Sequence, residues 1–547
     1  MKKNKCVCSS LAKKCLFALA FCFMIGIGIL GVEQENLPPA NGVPELRLSF
    51  ANNTINDVNN GSKHTVYTGV TVRGADIRKK IKASIKGRGN STWLGKKKPY
   101  QLEFTGNVNI LELGPSNKWI LLSNEYDRTL LRNDFTFRLA RDLGSRFVPK
   151  GKHVDLYADD VYQGNYYILP KLELSKSSVN LRGKDAVLME IDCYADNEDN
   201  NDPYFVSDLY KTKIALKDSN SKSEEKENLE AFKASYDQFE RDASEGKWAA
   251  VKSEIDVGSF VNYYLLSEYA ENLDSTCTSF YLYRGGRDKK ISAGPIWDHD
   301  SAYGNNTVGP TNLYNNPRKL WVYNANYTDD REWVNDTHIL TDLMDIPEFR
   351  AEVEKKYREV FRYAIEKEIN ALPDRAEQLR KSAEADRHIV LERYKQSKTF
   401  DEKDIDTYDE ALESFMEKLT QRKQLMDRIF LGRVTPDDGE HILKLGVSDS
   451  FKLTQLDNGF YVIENTRTGN ALTGLEYEDR DYGDAMVTEE PWNGDEKQEW
   501  MFFDAGDGKV NLVLKYNNLF LQNDKKNGLK LTSFSIKAPE TQEFELE

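Results

Sequence analysis

Cysteine is nearly absent from the part of this sequence that could form a folded body. Six cysteines occur among 547 residues. Cys6, Cys8, Cys15 and Cys22 crowd near the start, which leaves Cys193 and Cys277. Two cysteines do not make a disulfide framework; these two can pair or stay buried as thiols. No Cys-x-x-Cys occurs, and His64, His153, His299, His338, His388 and His441 are scattered, so no zinc-site spacing is present. An excess of positive charge is also lacking. With 75 Lys and Arg against 89 Asp and Glu, the formal net charge is −14. That excludes a global nucleic-acid footprint, because phosphate backbones bind basic faces. No collagen period, coiled-coil array or multi-span membrane pattern is visible. What is there is ordinary globular material, 39% hydrophobic and 30% charged, and its 11% aromatic content is too high for a disordered chain. At roughly 150 residues per domain, the length predicts two to four domains.

The one long apolar run lies at the N-terminus. Met1-Lys2-Lys3-Asn4-Lys5 and Lys13-Lys14 precede the stretch from Cys15 to Val32. A basic flank before such a run is the pattern of an export signal. The run is also just long enough to serve as a membrane anchor. Residues 1–32 are therefore expected to direct export, cleaved or uncleaved, and the chain to work at the cell surface, in a periplasm or outside the cell. Any membrane contact is expected through residues 15–32 alone.

A Pro-containing linker, 33–42, leads into a segment that alternates at period two, as in Glu45-Leu46-Arg47-Leu48-Ser49-Phe50 and Ile81 to Ile85. Asp127 to Gly144 reads as a helix, with Leu130, Leu131, Phe135, Leu139 and Leu143 near helical spacing. Two hairpin strands follow, His153 to Tyr157 and Tyr166 to Leu169, around a turn at Gln163-Gly164-Asn165. Val187 to Ile191 is a short strand, Asp196 to Asp202 an acidic loop, Glu224 to Ala243 a charged helix and Phe260 to Leu273 a more buried one. Phe280 to Tyr283 and Ile291 to Ile296 read as a hairpin, and Ile346 to Leu431 as almost entirely helical. Pro436-Asp437-Asp438-Gly439 marks a boundary at 433–440. Beyond it the chain alternates apolar and polar, an all-β pattern. Phe451 stands eight residues before Gly459 and Trp500 eight before Gly508, a weak repeat that Phe544 could begin a third time.

Two clusters carry the chemistry. The first is basic: Lys86-Gly87-Arg88-Gly89-Asn90-Ser91-Thr92-Trp93, continuing to Lys96-Lys97-Lys98-Pro99-Tyr100. Glycines between basic residues let a backbone approach an anion. Arg88 can grip a phosphate bidentately, and Lys98 can place a point charge on one. The second is acidic: Asn272-Leu273-Asp274 at a helix end, then Gly294-Pro295-Ile296-Trp297-Asp298-His299-Asp300 after a strand. Asp298 and Asp300 point the same way if the backbone there is extended. Such hard oxygens suit magnesium, which takes one or two carboxylates plus substrate phosphates. Asp274 can serve as a general base or a further ligand. Each cluster alone also reads as solvated loop lysines or as aspartates capping turns. Together they have the economy of phosphoryl transfer, in which charge is neutralised and one Asp orients the attacking hydroxyl.

The basic run resembles the opening signature of the CotH (spore-coat protein H) family of kinase-like proteins. So do Trp119-Ile120-Leu121-Leu122-Ser123-Asn124 with Asp127 and Leu131-Arg132-Asn133, then Gly164-Asn165-Tyr166-Tyr167, Met189-Glu190-Ile191-Asp192 and Lys217. Glu268, Asn272, Asp274 and the Gly294–Asp300 run complete the order. Gln498-Glu499-Trp500 and Gln542-Glu543-Phe544 resemble the Gln-x-Trp signature of ricin-type β-trefoil lectins. These resemblances imply an α+β fold: an atypical protein-kinase-like body at 43–432 with a helical C-terminal part, and an all-β, β-trefoil-like carbohydrate-binding appendage at 441–547. They imply ATP and Mg2+ as cofactors, a protein Ser/Thr acceptor, a glycan partner for the appendage and no nucleic acid. Asp274 looks like the catalytic-loop Asp and Asp298 like the metal-binding Asp of the Asp-Phe-Gly element, with Asp300 and Ser279 also on the metal side. Arg88, Asn90, Lys98, Lys217 and Glu190 fall on the nucleotide side; which of Lys98, Arg88 or Lys217 plays the strand lysine stays open.

The chain departs from the family pattern in three places. His299 stands where the family commonly has Phe, and Pro170 precedes Lys171 where a glutamate often stands. Ser279 occupies the spacing of the Asn that helps hold a second metal in ordinary kinases. The competing expectation is a non-catalytic exported surface protein, with a degenerate kinase-like scaffold displaying a glycan-binding tail.

Overall fold

A computed structural model of the chain describes residues 39–60, 65–74, 80–89, 91–197, 201–286, 288–305, 338–394, 405, 407–445, 448–475, 485–524, 528–532, 534–535 and 538–547. The apolar leader and Asn90 lie outside the described residues. Among the described residues no helix is long and apolar enough to cross a membrane.

Seven strands close into a barrel: β1 (Glu45–Ser49), β2 (Val66–Arg73), β3 (Ile81–Gly87), β4 (Tyr100–Asn109), β5 (Pro115–Leu122), β6 (Lys152–Ala158) and β7 (Val161–Pro170). The order around it is β1-β2-β3-β4-β5-β7-β6, with β6 returning to β1. Only that last pairing is parallel, with Leu46 opposite Leu156; neighbouring strands elsewhere run antiparallel. Period-two alternation fills the interior, since successive side chains of a strand point to opposite faces. Leu46, Val70, Ile85, Leu102, Trp119, Leu156 and Ile168 form its core.

The β6–β7 hairpin corrects a turn expected from the sequence. The chain reverses at Asp159-Asp160, both left-handed at φ 46 and 65, which suits the right-handed twist of a two-residue hairpin loop. Gln163-Gly164-Asn165 lie inside β7, with Gly164 opposite Leu156. Gly164 is there for space: a Cβ at that position would press on Asp386 and Lys97.

A second sheet has the order β12-β11-β8-β10-β9, built from β8 (Val187–Ile191), β9 (Tyr204–Val206), β10 (Lys213–Ser219), β11 (Phe280–Gly285) and β12 (Asp288–Ala293). Among the helices packed beside it are α1 (Arg132–Asp142), α2 (Glu225–Ser244), α3 (Val257–Ala270), α4 (Ile339–Asp345), α5 (Pro347–Lys356), α6 (Arg362–Tyr394) and α7 (Tyr408–Leu431). The helix expected from Asp127 starts only at Arg132. Asp127 is spent on the preceding turn, where its carboxylate accepts from the Thr129 and Arg132 backbone amides at 3.0 and 2.8 Å. Ile120, Leu122 and Leu169 on the outside of the barrel join Phe135, Leu188, Phe260, Phe280 and Phe415 in one large core. The seam between barrel and sheet is therefore cemented on one side.

From Arg433 onward the described residues form strands, with short 3-10 turns at Glu496–Gln498 and Pro539–Gln542. Arg433–Val434, within the segment read as a linker, pairs with Trp500–Gly506. The aromatics of the repeat, Phe451, Trp500 and Phe544, are all buried in a separate apolar core with Leu443, Ile463, Leu512 and Leu531. The glutamines of the Gln-x-aromatic pairs also turn inward. Gln498 Nε2 donates to Thr473 Oγ1 at 2.9 Å, and its Oε1 accepts from the Asn493 amide at 3.0 Å. Gln542 repeats the scheme with Thr532 Oγ1 at 2.7 Å and the Ser535 amide at 2.8 Å.

Candidate active site

The barrel contributes Arg88, the first residue after β3. Gly87 lets the Trp93 ring lie against the strand end, a place a Cβ would occupy, and the Arg88 amide donates to Pro99 O at 3.2 Å. The Arg88 guanidinium lies 5.7 Å from the centre of the Trp297 ring. Burial pulls its pKa below the ordinary range, while Asp298, Tyr281, Glu190 and Asp300 all favour its charge. The basic loop and the late aspartates therefore converge, through Arg88. Lys98 Nζ donates to Trp93 O within its own loop and stands over the Trp93 ring.

The sheet contributes Glu190 and Lys217. Glu190 is the next-to-last residue of β8, flanked in register by Ala215 of β10 and Tyr281 of β11. Lys217 occupies a bulge in β10 between Leu216 and Asp218. Its Nζ pairs with Glu190 at 3.0 Å and Asp202 at 2.7 Å. Burial works against the Lys217 charge, but Glu190 and Asp202 outweigh it and hold the ammonium above its ordinary range. Burial likewise pushes the Glu190 carboxyl up, against Lys217. Ser279, left-handed at φ 55, directs its amide to Glu190 Oε1 at 3.2 Å.

The turn after β12 carries the acidic pair. The backbone is not extended there: Asp298 is left-handed at φ 59, a conformation a non-glycine residue adopts under constraint and one that gathers at functional sites. Through that bend the Asp298 and Asp300 carboxyls come within hydrogen-bonding reach. Burial raises both, and Asp298, Asp127 and Asp274 push Asp300 further, well above the carboxylate range. Two buried carboxyls this close cannot both ionise without a cation between them. Two adjacent hard oxygen donors facing an Arg fit magnesium with phosphate. Among the described residues no three His, Cys, Asp or Glu side chains form a closed metal cage, and magnesium shared with phosphates needs none.

His299, between the two aspartates, is 1% exposed. Its backbone amide donates to Asn133 Oδ1 at 2.8 Å, and Asn272 Nδ2 lies 3.5 Å from its Nε2. Burial drops its pKa to about 3, so a neutral ring fills this place at ordinary pH.

Asp274 stands on a short 3-10 turn, Leu273–Thr276, whose N-cap Asn272 accepts from the Asp274 amide at 3.3 Å. The turn is clamped from behind. Arg422 of α7, 1% exposed at its side chain, donates through Nε to Glu268 O at 2.8 Å and pairs with Glu268 and with Glu271, the latter at 3.4 Å. Glu271 is the left-handed C-cap of α3, at φ 49.

Two members of this seam escape sequence reasoning. Tyr281 reaches Glu190 and Arg88 only through the β8–β11 register. Lys171, just past β7, is bonded through its amide to Lys118 O at 2.9 Å. Burial lowers its ammonium pKa, Lys118 and Lys86 lower it further, and Glu173 and Asp218 attract it. The sequence shows Lys171 only as a neighbour of Pro170; the barrel makes it part of a cationic edge.

The family model described as "CotH kinase protein" matches residues 85–426, and the one described as "Ricin-type beta-trefoil lectin domain-like" matches residues 448–532. No match was found among curated proteins. One similar solved structure is a designed 3-fold symmetric protein, ThreeFoil, at 25% identity over 18% of this chain and 70% of that one, with TM-score 0.15. Another is 1,3Gal43A, an exo-beta-1,3-galactanase from Clostridium thermocellum, at 19% identity over 21% of this chain and 31% of that one, with TM-score 0.17. At such TM-scores neither likeness carries an argument about this chain.

Proposed function

Since the chain belongs to the CotH kinase protein family, we propose that it is a protein kinase that transfers the γ-phosphoryl group of ATP to a Ser or Thr hydroxyl of a protein. The observation that carries this reading is the meeting of Arg88 with Asp298 and Asp300 across the seam between barrel and sheet. Arg88 and Lys217 would hold phosphate oxygens, with Glu190 keeping Lys217 in place. Asp298 and Asp300 would hold Mg2+. When bound, ATP supplies the phosphoryl group and Mg2+ offsets the charge around it. Asp274, partly exposed at the mouth of its turn, accepts the proton of the acceptor hydroxyl. His299 fills the place of the family's Phe with a buried, uncharged ring. The lectin-like segment supports a glycan partner, and the basic-flanked apolar leader supports action outside the cytoplasm.

The full chain is expected to incorporate label from γ-labelled ATP into a protein acceptor in the presence of magnesium, and Asp298→Ala to abolish the incorporation. Undiminished labelling in that variant removes Asp298 from the metal-binding role. Absence of both labelling and calorimetric ATP–magnesium binding in the unaltered chain returns the body to a scaffold. A glycan array probed with the full chain tests the appendage; a flat response leaves it a structural part.

A further inference from the structure

Cys193 and Cys277 are distant in sequence and meet in the fold. Cys193 stands two residues past the end of β8, and Cys277 closes the 3-10 turn that carries Asp274. The β8–β11 ladder ends with Ile191 opposite Phe280, and beyond it one more bond joins the segments: the Cys193 amide donates to Cys277 O at 2.8 Å. With standard backbone bond lengths, a single bond of 2.8 Å leaves the two Cα atoms no more than about 6.7 Å apart. A disulfide accepts roughly 4.4–6.8 Å. Both residues are buried, at 7% and 4% exposure, and the structure holds both as thiols. They are the only cysteines among the described residues.

Their surroundings belong to the candidate site. β8 carries Glu190, the partner of Lys217, and the segment just after Cys277 returns to that strand through the Ser279 amide on Glu190 Oε1. A covalent link between them would tie the turn bearing Asp274 to the strand bearing Glu190.

We propose that Cys193 and Cys277 are a disulfide site: they join when the chain folds in an oxidising medium, lock the Asp274 turn to β8, and release it on reduction. Each thiol loses a proton and one S–S bond forms. The two electrons pass to a small-molecule disulfide such as oxidised glutathione, which leaves as two thiols. Exchange runs through an attacking thiolate and a mixed disulfide. Because both sulfurs are enclosed in the folded chain, the exchange belongs to folding or to an opened state. The closed loop is long, and a link across a long loop restricts the unfolded chain most. The oxidised form is therefore the more heat-stable one. This claim does not depend on kinase activity.

The full chain is refolded in glutathione buffers of graded redox ratio, alkylated, and digested without reduction. The expected product is a linked peptide joining Cys193 to Cys277, lighter than its parts by two hydrogens and lost on reduction. The melting temperature rises on oxidation and falls back with reductant. Cys193→Ser and Cys277→Ser each abolish the linked peptide and the redox dependence of melting. Full alkylation of both cysteines at every ratio overturns the proposal, as does pairing of either one with Cys6, Cys8, Cys15 or Cys22.

Discussion

Arg88 combines a position just outside a barrel strand with four neighbours that favour its charge and a burial that opposes it. A fork-shaped cation in that setting serves an anion better than a point charge does. Arg88→Ala is expected to lower kcat/KM about a hundredfold, near the effect of deleting one donor aimed at developing charge. Arg88→Lys is expected to recover part of the loss; steady-state kinetics at saturating magnesium decide it. The sequence singled out Arg88, Asp274, Asp298 and Asp300 as candidates because short runs of glycine with basic residues, or of closely spaced aspartates, stand out locally, and the fold brings these four near one another. The sequence did not show that Lys98 Nζ donates to Trp93 O, because that contact depends on how the loop folds. Tyr281 and Lys171 were invisible for a related reason: cross-strand register, not local spacing, puts them at the seam.

Elements rather than residues set the geometry of the Asp274 turn. α7 reaches back through Arg422 to grip the end of α3. Removing one partner of such a buried pair leaves uncompensated charge, at a cost of about 3–5 kcal/mol. Arg422→Met is thus expected to destabilise the body by that amount in urea unfolding and to lower kcat without a matching rise in KM for ATP. A second inter-element contact predicts pH dependence. Asp342 of α4 bonds the Tyr210 hydroxyl at 2.9 Å. Burial, aided by Asp345 and Glu240 and opposed by Tyr210, pushes its pKa up to about 7. A carboxyl raised in the folded state holds its proton more tightly there than in the unfolded chain. Its stabilising contribution is complete below the unfolded value, near 4, and is lost as pH rises through about 7. The melting temperature is expected to fall between these limits, and Asp342→Asn to flatten the fall, read by scanning calorimetry across that range. Strands and helices with clear periodicity were legible. The parallel β1–β6 closure of the barrel was not, because no local pattern records a pairing between strands a hundred residues apart.

At the scale of the whole molecule, the sequence suggests a body and an appendage separated by a linker, and the structure packs them together. Phe460, Met501, Phe503, Phe520 and Phe534 of the appendage share a core with Phe349, Val353, Ile429 and Phe430 of the helices. Arg350 lies 5.1 Å over the Phe460 ring, and Arg433 pairs with Glu354 at 3.2 Å. Calorimetry of the full chain is expected to show one transition. Phe460→Ala, at about 3–5 kcal/mol, is expected to split it; two transitions in the unaltered chain would contradict the shared core. The appendage also shows what its own motif is for. Gln498 and Gln542 brace loops from within, and Trp500 and Phe544 fill the interior. Selection for folding alone suffices to preserve that spelling, so the motif marks the fold and not saccharide binding. Any chemistry the appendage offers to its surroundings has to come from outward-facing positions such as Trp492, 38% exposed, which the interior scheme leaves unconstrained.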